Sequence, residues 1–509
     1  MGCRSDPVTE RPFRFWYGAA MTGAAPAAPG GPTPTSRPGI LLAVLSLAGA
    51  AYALLQSLVV PALPVLQHDL HTSTTGVAWV FTAYLLAASV VTPIAGRLGD
   101  MYGKKPVLVV TLAGLAFGTG LAAITHSLAV MILARTIQGL GGAIFPLAFG
   151  IVRDAFPPHR VAGGIALISA ILGIGGGLGI VLAGPIIDNL GYHWLFWFPL
   201  ILVVLSTVLA VLAIPRSSQR APGRIHWLGL FLLAAWLVAL LLGVSNAPTW
   251  GWTSPKTLAL FGAAAVLLVL WVQAEARSSH PLTDMRMMRR RGVASTNAAA
   301  FLLGFGMYSA FTVVPEFVQM PASTGYGFGA SVTQGGLYLL PATITMMIFS
   351  PIGGRLSNTV GSRVPLIAGA AVTTVTFVLL TFRHEEKVEV YVATALLGVG
   401  IGFAFASMAN LIVEAVSRDQ TGIATGMNTV MRTIGGAIGA GIAASLIAQY
   451  TLPSGLPAER GFTLTFATCT VVVGLGVVAS LLVPRRARAV APATETELVA
   501  APVAVPQTD

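Results

Sequence analysis

Three charged side chains lie inside long apolar runs of this 509-residue chain: Arg135, Glu316 and Arg432. A charge at the centre of a bilayer costs roughly 3 kcal/mol on the insertion scale, so it faces a cavity, a water path or a partner. Glu316 follows Pro315 near one end of its run. A carboxyl there either exchanges a proton or stands at headgroup level. Arg432 lies near the middle of its run and is suited to buried pairing or to ligand contact. Gln56, Tyr84, Asn297, Tyr308, Asn410 and Asn428 are further polar groups in such runs. Each serves either helix–helix hydrogen bonding or a ligand. No His/Asp/Glu cluster accompanies them, so neither catalysis nor metal binding is expected. The two cysteines, Cys3 and Cys469, form no disulfide framework and no Cys-x-x-Cys.

A second set of charges stands at the ends of runs. The segment Gly96-Arg97-Leu98-Gly99-Asp100-Met101-Tyr102-Gly103-Lys104-Lys105 combines glycines that allow a tight turn with an aspartate placed to accept bonds at a helix N-terminus. Asp154 and Glu414 end two other runs at matching repeat positions, as Arg97 and Arg355 do in theirs. Arg97–Asp154 and Arg355–Glu414 are therefore expected as two repeat-related pairs closing one face. Nucleotide chemistry has no support. A phosphate loop ending at Lys104 would need Gly at 98 and Ser or Thr at 105, where Leu98 and Lys105 stand. Gly439-x-Gly441-x-x-Ala444 lies inside an apolar run with no preceding strand and reads as close helix packing.

Composition dictates the elements that carry these residues. Charged residues make up 9% of the chain and hydrophobic ones 55%, against roughly 25% charged in a soluble domain. That excludes a soluble enzyme and a disordered chain alike. The chain reads as an all-α integral membrane protein with fourteen spans, each about 20 residues or longer. They fall near 40–63, 76–96, 107–125, 128–151, 163–187, 194–214, 227–244, 257–272, 295–318, 333–353, 364–382, 390–414, 422–448 and 462–483. The polar, Pro-rich stretches 1–38 and 485–509 read as disordered tails. With both tails cytoplasmic, the inner loops hold sixteen Lys and Arg, Arg216, Arg220 and Arg224 among them, and the outer loops four: Lys256, Arg383, Lys387 and Arg460. That bias sets the orientation. It also accounts for the net charge of +11 without nucleic acid as a partner.

The chain repeats itself. Gly96–Lys105 recurs in degenerate form as Gly354–Arg363, 258 residues on. Val152–Ala155 and Gly175-Gly176-x-x-Gly179 recur 260 residues on, as Ile412–Ala415 and Gly435-Gly436-x-x-Gly439. Residues 39–215 and 294–484 are thus two copies of a six-helix bundle, and 216–293 supplies an inserted helix pair with a central loop. Such duplicated bundles place a binding site near the midplane between the halves.

The Gly96–Lys105 segment resembles the loop signature of the major facilitator superfamily, Gly-x-x-x-Asp-x-x-Gly followed by two basic residues. Gly96, Arg97, Asp100, Gly103 and Lys104 are its matching positions here. Arg135-Thr136-Ile137-Gln138-Gly139-Leu140-Gly141 resembles that family's fourth-helix motif. Gly173–Gly179 with Gly184-Pro185 is similar to the glycine-rich fifth helix of its exporters. The span count points to the fourteen-span drug:proton antiporters. Ser57 and Ala62-Leu63-Pro64 fit the first-helix pattern of that group, but Leu55 stands where its aspartate is expected. The resemblance implies secondary, proton-coupled export of lipophilic drugs or antibiotics across the cell membrane by alternating access, by a monomer without cofactor or metal. The cavity is expected between spans 1, 4, 9 and 12, with Gln56, Gln138, Tyr308, Asn410 and Arg432 as contacts. Arg135 is implied in proton coupling, and Glu316 takes the place of the absent aspartate as carrier, modulated by Arg135. The rival readings are transport of one specific metabolite and a membrane receptor on the same scaffold.

Overall fold

The computed structural model describes residues 38–215 and 225–485. The tails, Cys3 and the loop arginines Arg216, Arg220 and Arg224 lie outside the described residues. Every long element is a helix, as a lipid environment demands of a chain that must satisfy its own backbone. In order these are α1 (Pro38–Asp69), α2 (Thr74–Tyr102), α3 (Lys104–Ile124), α4 (Leu128–Gln138), α5 (Ile144–Ala155), α6 (Pro158–Leu190), α7 (Trp194–Ala213), α8 (Trp227–Trp250) and α9 (Pro255–Arg277). There follow α10 (Met285–Met288), α11 (Arg291–Gln319), α12 (Val332–Leu337), α13 (Leu340–Val360), α14 (Arg363–Phe382), α15 (Lys387–Ala415), α16 (Thr421–Gln449) and α17 (Glu459–Leu481).

Fourteen stretches are long and apolar enough to span a bilayer. They fall on the fourteen expected from sequence, with ends that differ by a few residues in either direction. The fourth is interrupted: a 3-10 turn at Gly139–Ala143 joins α4 to α5. Here Gly139 packs against Ala87 and Ala88 of α2, and Gly141 against Tyr52 of α1, where any Cβ would collide. The least regular stretch of the sequence, 245–256, resolves into the last turn of α8, a positive-φ Gly251 and Ser254 capping the N-terminus of α9.

One hydrophobic core joins α1 to α7 and a second joins α11 to α17. The inserted α8 packs on α2 and α16, so a third core covers the seam between the halves. Outward faces are apolar: Ile201, Val208 and Leu212 on α7, Val266 and Val269 on α9, and Val375 and Phe382 on α14 are exposed. Lipid is the solvent that suits them.

Candidate functional site

Two sites emerge, a latch on the face that carries Gly103 and a cavity in the middle of the molecule. The latch begins with glycine. Gly96 of α2 meets the Gly422 carbonyl of α16, and a Cβ on either would strike the other's backbone. This approach brings Asp100, one turn on, under the first turn of α16. Its two oxygens accept from the backbone N–H groups of Gly422 and Ile423, both at 3.1 Å. A carboxylate on two free donors at the positive end of a helix is a favourable arrangement. From the same face, Arg153 of α5 donates to the carbonyls of Val416 at 2.7 Å and Ser417 at 3.0 Å and to the Thr421 hydroxyl at 2.6 Å. Those carbonyls end α15, so the cation sits at the negative end of a helix. The two halves therefore close on each other through two charges of opposite sign at two helix ends.

Lys104 holds this arrangement from below. It is 1% exposed, and its Nζ lies 2.7 Å from Asp154 Oδ2 and 3.8 Å from Asp100 Oδ1. Gly150 gives it room, since a Cβ there would strike its stem. Gly103, with φ of 101°, turns α2 into α3 and aims Lys104 at the end of α5. The expected Arg97–Asp154 pair is corrected here. Among the described residues, the ion-pair partner of Asp154 is Lys104. Arg97 points about 100° round α2 from Gly96 and reaches the Pro281 carbonyl at 3.5 Å. The repeat survives in a different register. Ser362 is 258 residues beyond Lys104, and its hydroxyl donates to Glu414 Oε1 at 3.1 Å, as Lys104 does to Asp154. Arg355 is exposed near that face and makes no ion pair within 4 Å among the described residues. Ser350 to the Ala166 carbonyl (2.8 Å) and Asn358 to the His159 carbonyl (3.4 Å) close α13 on α6 along the same face.

Above the latch lies a cavity of about 390 Å³. Its floor, shared with a small adjoining pocket through Phe145, Leu172, Phe405, Thr429 and Arg432, is built by the repeat. Phe145 and Phe405, Phe149 and Ala409, Ser169 and Thr429, and Leu172 and Arg432 are pairs of residues 260 apart. Its walls include Tyr52, Gln56, Leu63, Phe81, Ile180, Met307, Tyr308, Phe311 and Met346. Ala88 and Met346 are again repeat mates, 258 apart. Leu63, Phe81, Ile180 and Phe311 lie in the halves of their helices away from Gly103, so the cavity reaches toward the opposite face. Spans 1, 4, 9 and 12 contribute to it as expected, and α2, α6 and α16 contribute as much. The glycine run of α6 makes this possible. Gly175 and Gly179 receive Ala53 and Ser57 of α1, Gly173 and Gly177 receive Met346 and Thr343 of α13, and Gly176 opens on the cavity.

Of the expected contacts, Gln56, Tyr308 and Arg432 stand on the cavity wall. Gln138 and Asn410 do not. Gln138 is fully buried and accepts from Arg135 Nη1 at 2.7 Å. Asn410 is used up in the α15–α6 contact, donating to the Ala162 carbonyl at 3.5 Å. Asn297 and Asn428 bond each other at 2.9 Å between α11 and α16. Arg135 is fully buried behind the wall. It donates to the Val80 carbonyl at 3.1 Å and stacks on the Tyr84 ring at 4.3 Å, and Tyr84 in turn lies 6.1 Å from the Tyr52 ring on the cavity side. Glu316 is half-buried beside Phe317, with no hydrogen bond or ion pair among the described residues and no place in the cavity lining. Among the described residues no ion pair within 4 Å joins it to Arg135. Leu55, where the first-helix aspartate is expected, is fully buried in the core. Sequence reasoning missed Arg153 as a cap, because its targets are more than 260 residues away and its repeat mate Val413 is apolar.

The Major Facilitator Superfamily family model matches residues 45–321 and 296–506. The chain is 28% identical over 351 residues to the multidrug transporter protein MdtP of Bacillus subtilis, covering 68% of this chain and 64% of that one. It is 28% identical over 393 residues to the tetracenomycin C resistance and export protein of Streptomyces glaucescens, covering 76% and 72%. To the multidrug resistance protein Stp of Mycobacterium tuberculosis it is 29% identical over 367 residues, covering 72% and 67%. In fold it is similar to the crystal structure of the human organic anion transporter MFSD10, with a TM-score of 0.64 at 17% identity, covering 87% of this chain and 99% of that one.

Proposed function

The chain belongs to the major facilitator superfamily, and on that premise we propose that it is a cell-membrane exporter of lipophilic drugs or antibiotics. The apolar-walled cavity between two pseudo-symmetric bundles carries this reading. Its largely aromatic and aliphatic lining suits flat or bulky lipophilic molecules, whereas a sugar would leave many of its hydroxyls unpaired there. Relatives named for multidrug transport and for tetracenomycin C resistance and export align along most of the chain. The excess of Lys and Arg in the loops of the Gly103 face puts that face, and both termini, in the cytoplasm. The latch then closes the cytoplasmic side while the cavity reaches toward the outside. In alternating access, residues 39–215 rock as one body against residues 294–484, the latch parts, and the cavity opens inward. A monomer contains the whole device. The proton gradient supplies the energy, with Glu316 as the carboxyl that takes the proton.

Gly176 provides a clean test. It borders the cavity, and no atom lies within 4 Å of a Cβ placed there. Gly176→Trp therefore has room to start its side chain into the cavity and obstruct it. Cells making the wild type should accumulate less of a lipophilic antibiotic than cells without it, and Gly176→Trp should restore accumulation at unchanged protein level. Equal accumulation in all three, across a panel of such compounds, would remove the export reading.

A further inference from the structure

Within the export reading, the cavity carries one unexplained charge. Arg432 lies on α16 at the cavity floor, where its repeat mate on α6 is Leu172. Its backbone is fixed: Gly304 of α11 abuts the Arg432 carbonyl so closely that a Cβ would strike it. The guanidinium stacks on the Phe405 ring at 4.4 Å, and its Nε is buried with no hydrogen-bond partner. Among the described residues no Asp or Glu lines the cavity. A half-buried cation without a counter-charge is a costly arrangement that a ring face offsets only in part. Two neutral donors share the wall, the Gln56 amide and the Tyr308 hydroxyl, and neither has a partner among the described residues.

We propose that the cavity selects lipophilic organic anions, with Arg432 as their counter-charge. A carboxylate, sulfonate or ionised phenol entering this site completes the missing ion pair, and the planar guanidinium can bond its oxygens in pairs. The apolar body of the molecule then lies against Phe145, Phe405, Met307 and Phe311. Gln56 and Tyr308 are placed to donate to further oxygens. A lipophilic cation of the same shape gains the same apolar contacts but meets an uncompensated positive charge. The charge thus sets preference while the apolar wall sets affinity.

Tetraphenylborate and tetraphenylphosphonium share size and apolar surface and differ in sign. Their affinities for the purified full-length protein in neutral detergent, measured by titration calorimetry, isolate the charge. The wild type should bind the borate at least ~10-fold more tightly, which corresponds to ~1.4 kcal/mol. Arg432→Lys should keep that order, Arg432→Gln should bring the two ions within a few-fold, and Arg432→Glu should invert the preference. If the variants do not purify as folded protein, the wild-type comparison decides alone. A wild type indifferent to sign, or a preference unmoved by Arg432→Glu, overturns the anion proposal and leaves lipophile export standing. Failure of both ions to bind the wild type overturns the two together.

Discussion

Asp100 shows how much a single residue can settle. Its carboxylate bonds two backbone N–H groups of the opposite half, and Arg153 bonds three acceptors there. Charge-assisted bonds of this kind contribute ~1.5–3 kcal/mol each. Even where water replaces all but one of these bonds, removing either side chain should shift the closed–open equilibrium of this face by ~10- to 100-fold. Thr425, 2% exposed at the cavity floor behind the latch, reports the opening. In a background without Cys3 and Cys469, Asp100→Ala and Arg153→Ala should each speed maleimide labelling of a Thr425→Cys variant from the cytoplasmic side. Arg97→Gln should change it little, because Arg97 reaches only the Pro281 carbonyl at 3.5 Å. Equal acceleration by Arg97→Gln would return the latch to the pairing that repeat matching suggests. The role of Asp100 at a helix N-terminus was legible in the loop motif, since glycine spacing and an acidic residue are local signals. The partner of Asp154 was not. Matching Arg97 to Arg355 identified equivalent positions, but the structure pairs the equivalent positions 104 and 362, one basic and one a hydroxyl.

The helices themselves were legible because each span is an apolar run long enough to satisfy its own backbone in lipid, and no tertiary partner is needed to see that. Their neighbours were not, because an apolar run looks alike on every side. The glycine run of α6 illustrates the difference. Close packing could be read from Gly173 to Gly179, but only the structure shows that Gly175 and Gly179 serve α1 while Gly173 and Gly177 serve α13. The α6–α13 contact runs the length of the membrane, and it has a glycine at each end to probe. Gly177 faces Thr343 in the outer half, and Gly354 faces Ala166 in the inner half. A side chain at Gly177 wedges the outer half apart, and one at Gly354 wedges the inner half apart. Gly177→Val should slow labelling of a Thr425→Cys variant from the cytoplasm, and Gly354→Val should speed it. Movement of both in one direction would mean that α6 and α13 part as a whole rather than rock about their middle.

At the scale of the whole molecule, one charge breaks the pseudo-symmetry of a cavity whose other floor residues are uncharged, and that charge bears on energy. With an anion bound, the site around Arg432 is neutral; empty, it carries one positive charge. Export then moves a neutral loaded site outward and a positive empty site inward. An inside-negative membrane potential favours the second step, at ~2.3 kcal/mol per charge per 100 mV. Under the proposed role of Glu316, a proton carried inward on it would add a second charge to the same cycle. The sequence resemblance leads one to expect an aspartate where Leu55 stands, and a cycle without that acid fits one that draws part of its drive from the potential alone. For a sulfonated aromatic dye, whose permanent charge keeps it from crossing lipid unaided, the steady-state gradient built by reconstituted protein under a potassium–valinomycin clamp counts these charges. At no pH difference, 60 mV should sustain a gradient of ~100-fold in the wild type, from two charges at ~1.4 kcal/mol each. Glu316→Gln should reduce this to ~10-fold and should remove the response to an imposed pH difference. A wild-type gradient that ignores the potential would show that the anion leaves with a compensating cation, and a Glu316→Gln variant equal to the wild type would show that Glu316 carries no proton.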